Sequence, residues 1–181
     1  RDAERDVEAG RAVGAGGIRR RPPPGTAPIV RGFVIGTVLL DLAILTFRAI
    51  TSSDGFRDAG WGLAAWVVVV AAVGAASLPF ESGQALGLDM PVLLSVGYLF
   101  GPVVAGATAF VAYVDARELR GEISLMRALF NRAQTSLSVM AATAVFGVVV
   151  SGGDGWPIAV VAAFLAVGTD CLVNYGTVVA V

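Results

Sequence analysis

Five polar side chains stand where the surrounding sequence is almost wholly apolar: Asp41, Asn131, Gln134, Asp170 and Asn174. A carboxylate inside an apolar helix costs about 2.5–3.5 kcal/mol at a bilayer centre, so it must turn inward and find a partner. Each residue belongs to a stripe at helical spacing. Thr37, Asp41 and Arg48 lie four and seven apart; Arg127, Asn131, Gln134 and Ser138 follow one another by a turn; Ala166, Asp170, Asn174 and Thr177 repeat the pattern. A further stripe joins Ala105, Thr108, Ala112 and Asp115. Two readings apply. The stripes can be glue, with small residues allowing close approach and amides and hydroxyls bonding between helices. The two carboxylates and three amides can also converge on a cavity that binds a small ligand.

The elements that must position them follow from composition. The chain has 181 residues, 56% hydrophobic and 15% charged, with a mean hydropathy of +0.76. Soluble domains hold about 25% charged residues and far shorter apolar runs. The expected fold is all-α: a polytopic transmembrane helical bundle of about six segments. Residues 1–28 form an Arg/Pro/Gly-rich tail with too few apolar side chains to order itself, and residues 29–181 form the transmembrane domain. The apolar run after the tail is too long for a signal peptide. A start without Met and an end inside an apolar run read as a piece of a longer protein.

The predicted spans are 29–50, 61–80, a run from Met90 to Val114 interrupted at Gly101-Pro102, 125–150 and 156–181. Polar turns separate them, among them "TSSDGFRDAG" and "DARELRGEIS". Taken as one helix, 91–114 gives five spans and puts Arg117 and Arg120 opposite the Arg-rich tail, against the positive-inside tendency. A break at Gly101-Pro102 into two short segments gives six and brings those arginines back beside the tail; Pro102 cannot comfortably continue a helix and Gly101 permits a turn. Six segments, with both termini cytoplasmic, is the expectation, and Gly101 and Pro102 form a hinge. Arg127 and Arg132 are placed at the interface, against lipid phosphate.

The sequence also excludes chemistry. There is no histidine, so imidazole metal ligands and His-based acid–base catalysis are absent. The lone Cys171 forms no intrachain disulfide and is expected to be a small buried residue. No phosphate-cradling loop, nucleophile elbow or CxxC pair occurs, and "GGDG" at 152–155 is a turn between spans. No catalytic residue, metal or cofactor is expected, and this segment is read as non-enzymatic.

The stretch "LPFESGQALGLDMPVLLSVGYLFGPVVAGATAFVAY", the charged loop after it and "RALFNRAQ" resemble the N-terminal multi-pass membrane sensor region of bacterial HD-GYP and GGDEF signalling proteins. The matching features are the Phe100-Gly101-Pro102 step, the Phe130-Asn131 pair and Asn174, within 78–181. The Gly-Pro step and small-residue helix are also similar to the S components of energy-coupling-factor vitamin transporters. The first resemblance implies a bacterial inner-membrane sensor governing a cytoplasmic phosphodiesterase or cyclase domain after Val181. Its partners would be the lipid bilayer, a small-molecule ligand and a second copy of the chain, with no nucleic acid. The second implies a small-solute-binding transporter subunit.

Overall fold

The computed structural model describes residues 26–51, 54–75, 78–79, 85–86, 89–114, 116–153 and 155–179. Most of the predicted N-terminal tail and Asp115 of the fourth stripe lie outside the described residues. Among the described residues the chain is helical, apart from a two-residue antiparallel pairing of β1 (Leu78–Pro79) with β2 (Ala85–Leu86). The helices are α1 (Thr26–Thr51), α2 (Asp54–Ala59), α3 (Gly62–Ala75), α4 (Asp89–Phe100), α5 (Pro102–Ala112), α6 (Ala116–Leu119), α7 (Leu125–Ser151) and α8 (Trp156–Val179). Part of the expected polar turn after the first span is thus helix α2.

Among the described residues three helices are long and apolar enough to cross a membrane, over Pro28–Thr51, Leu125–Ser151 and Trp156–Thr177. Six full spans are not supported by the described residues. Helices α3, α4 and α5 have 14, 12 and 11 residues. At 1.5 Å per residue they reach about 16–21 Å, against a hydrocarbon core of about 30 Å. Sequence alone overestimates α3, because apolar residues continue in the sequence after Ala75.

Helix α7 is the axis of the described bundle. Half of its most apolar window is buried, against 17% for α1 and 11% for α8. Contacts along it fix the sense of its neighbours. Phe33 meets Phe130 and Asp41 bonds Ser136, so α1 advances with α7. Ala166 packs in one cluster with Ala142, while Asp170 bonds Ser138 and Asn174 bonds Gln134, so α8 runs against it.

The short helices make a hairpin on the same axis. Leu94 clusters with Ala142, Gly97 abuts Thr143 and Tyr98 stacks on Phe146 at 3.9 Å, so α4 advances with α7. In α5, Gly106 abuts Ser136 and Met140, and the Val111 carbonyl accepts from Arg132, so α5 descends. The reversal falls at Gly101, where φ is 90° and ψ 168°, with Pro102 opening the next helix. The inner faces of α3, α4 and α5 share one apolar core through Val70, Leu93, Val96, Val104, Ala105 and Ala109, completed by Val139 of α7. The break at Gly101-Pro102 and the shortness of the two helices beside it were legible in the sequence; the 14-residue length of α3 was not.

Close approach makes Gly97 specific. A Cβ there would come within 2.8 Å of the Thr143 Cβ, on a side chain that is stiff at χ1. Gly97→Ala should therefore lower stability by about 1–3 kcal/mol, the usual cost of overpacking. Denaturant unfolding of the chain in lipid nanodiscs checks this. A midpoint equal to that of the unsubstituted chain would mean that α4 and α7 do not meet so tightly.

Candidate functional site

The predicted polar residues divide between two faces of α7. On the face toward α1, the Ser136 hydroxyl donates to Asp41 Oδ1 at 2.8 Å. Asp41 is fully buried, and its Oδ2 has no hydrogen-bond partner among the described residues. On the face toward α8, Gln134 Nε2 donates to the Asn174 carbonyl at 3.0 Å and also to Asn174 Oδ1. One turn on, the Ser138 hydroxyl donates to the Asp170 carbonyl at 3.1 Å and to Asp170 Oδ1. Four of the five candidates are therefore in interhelical bonds. They form two sites instead of one convergent cavity, because Ser136 and Ser138 are two residues apart and so point about 200° apart around α7. Asn131 is half-buried and joins neither pair.

The threonines of the stripes do something else. Thr37, Thr108 and Thr177 each donate to the carbonyl four residues back in their own helix, as does Thr143 outside the stripes. A hydroxyl satisfied this way needs no neighbour. The glue reading therefore fits Ser138, Gln134 and Asn174, and not the stripe threonines; Ser136, outside the stripes, bonds between helices as well.

A cavity of about 300 Å³ opens on the α8 side, lined by Asp170, Cys171, Asn174 and Tyr175. These positions, i, i+1, i+4 and i+5, make one helix face. Cys171 is exposed and part of that wall, which corrects the expectation of a buried structural cysteine. Its neighbour Asp170 looks into the bundle, and one residue of helical rotation turns Cys171 outward.

Sequence reasoning missed Asp89. It is buried and it opens α4, in the first turn where backbone N–H groups lack helical acceptors. Asp170 lies close enough to act on it electrostatically. The signal was an acidic residue at the first turn of a helix, a position favoured because it meets unpaired N–H groups. Its depth was hidden, since α4 begins beside the middle of α7 instead of at an end. Ser136 was missed because it stands between the two members of the stripe that were noticed.

The arginines divide as well. Arg127 is exposed, and its backbone N–H is capped by Ser124 Oγ at 3.4 Å. Arg132 is ion-paired with Glu118 of α6 at 2.8 Å and reaches the Val111 carbonyl at 3.4 Å. It thereby ties the end of the hairpin to α7. Among the described residues no group of three or more His, Cys, Asp or Glu side chains could hold a metal ion. The arrangement supplies carboxylate and amide oxygens beside a small cavity, and no nucleophile paired with a base.

No family model matches the chain, and neither does any curated protein or solved structure.

Proposed function

We propose that this chain is the membrane-embedded sensory and anchoring module of a bacterial signalling protein, with a cytoplasmic output domain after Val181. One observation carries the reading. Asp170 and Asn174, the residues that bond α8 to α7, are also wall residues of the cavity. A ligand that takes up their oxygens competes with Ser138 and Gln134, so occupancy biases the position of α8 against α7. A ligand can shift a helix only through such differential contact. Helix α8 is suited to move, since little of its apolar window is buried.

The charge distribution supports the orientation. Phe33 near the start of α1, the end of α5 and the start of α7 share one end of the bundle, and Arg117, Arg120 and Arg127 lie on the segments at that end. By the positive-inside tendency that end is cytoplasmic, and α8 returns to it. The path then has six segments, three of full length and three short.

The test is made in the native host, on the complete gene product. Asp170→Ala should change the output, read as the cellular cyclic-dinucleotide level, several-fold while the amount of protein in the membrane stays the same. Unchanged output from both Asp170→Ala and Asn174→Ala would overturn the reading. The cavity size also suits the rival, a small-solute-binding subunit like an S component. That reading predicts lost solute uptake in the same variants.

A further inference from the structure

We propose that the cavity beside Asp170 binds an ammonium group. This rests on the sensory reading of the cavity and adds the class of its ligand. Asp170 is nine-tenths buried. Ser138 occupies its Oδ1, and no group among the described residues donates to its second oxygen, although the residue lines the cavity. A carboxylate oxygen of a buried residue, facing a space without a donor, is an acceptor in want of a guest.

Asp89 adds a second carboxylate within electrostatic reach, itself buried. No positive side chain among the described residues faces this pair. Helices α4 and α8 contain no Arg or Lys, and the arginines of α7 stand at its start, with Arg132 held by Glu118. A cation is therefore the guest that the field selects. The oxygens are too few for a metal ion, which takes six or more from a hard-ligand site. An ammonium needs fewer: it donates to the free Asp170 oxygen in a charge-assisted bond. The second lone pair of Asn174 Oδ1 can take another of its hydrogens, and Tyr175 adds aromatic surface to the wall. About 300 Å³ admits a small amine with its apolar substituent. The ammonium can come from a free amine or from an ethanolamine lipid headgroup.

Cys171, the sole cysteine, reports on the cavity because it is in the wall. The full chain in phosphatidylcholine nanodiscs is alkylated with N-ethylmaleimide, and the rate at Cys171 is read by mass spectrometry. Benzylammonium should slow it several-fold, and benzyl alcohol, its uncharged counterpart, should not. Asp170→Asn, which leaves an oxygen for Ser138, should abolish the protection, and Asp89→Asn, away from that bond, should weaken it. Protection without added amine in nanodiscs containing phosphatidylethanolamine identifies the headgroup as the source; protection only by benzylammonium identifies a free amine. Equal protection by benzyl alcohol, no protection by either source, or no alkylation of Cys171 would overturn the proposal. The sensory reading is separately decided: if the ammonium fails while Asp170→Ala still alters output, the cavity senses another ligand.

Discussion

Ser136→Ala should destabilise the bundle by about 1–3 kcal/mol, and adding Asp41→Leu should recover most of that loss. The Ser136 hydroxyl is the one donor that the described residues offer to Asp41, whose other oxygen already lacks a partner. Removing it leaves a fully buried carboxyl group with nothing to satisfy it. The cost of stranding a buried polar group, about 1–3 kcal/mol, exceeds the net value of the bond itself. In the bilayer no water takes Ser136's place. Asp41→Leu removes the stranded group and fills the space with an apolar side chain, the kind of exchange that leaves stability unchanged or raised. Unfolding of the four members of the cycle in nanodiscs gives the coupling. Additive effects would show that Asp41 and Ser136 do not depend on each other. Destabilisation by Asp41→Leu alone, equal to that of Ser136→Ala, would show that the carboxyl has a partner outside the described residues.

How much of this could be read beforehand follows from what periodicity encodes. The helical class, the three long helices and the break at Gly101-Pro102 were legible, because hydropathy and Pro–Gly chemistry act within one helix length. The inward turn of Asp41, Gln134, Asp170 and Asn174 was legible too, since lipid leaves a polar group no other direction. Their division between two faces of α7 was not. It depends on which neighbour each face meets, and a stripe on one helix carries no record of its partners. Asp89 shows the same limit. A carboxylate before an apolar run reads as a solvated loop end. Only the α4–α5 hairpin, which starts α4 beside the middle of α7, places it near Asp170. Cys171 was misjudged because residue type, instead of rotation about α8, set the expectation.

Gly101 and Pro102 should respond very differently to substitution, although both mark the same break. At φ 90° and ψ 168°, Gly101 occupies backbone space that is essentially closed to residues with a Cβ. No atom lies within 4 Å of where a Cβ would stand, so the penalty is conformational and not a clash. Gly101→Ala should cost about 1–3 kcal/mol, and Gly101→Val should do no better, because β-branching narrows the backbone further. Pro102 is the first residue of α5, where the missing N–H has no helical acceptor and a fixed φ suits the helix. Pro102→Ala therefore loses only the preorganisation of one residue, about 0.4–1 kcal/mol. The reversal is held by glycine, and the proline stiffens its exit. Unfolding midpoints of the three variants in nanodiscs test this. The alternative is an unbroken helix across 89–112, which alanine would favour at either position; a Gly101→Ala chain more stable than the parent would establish that alternative. The consequence reaches the site, because the same reversal sets the start of α4 and hence the place of Asp89 beside Asp170. Gly101→Ala should thus also weaken protection of Cys171 by benzylammonium, although it stands at the far end of α4, 12 residues from Asp89 by helix length.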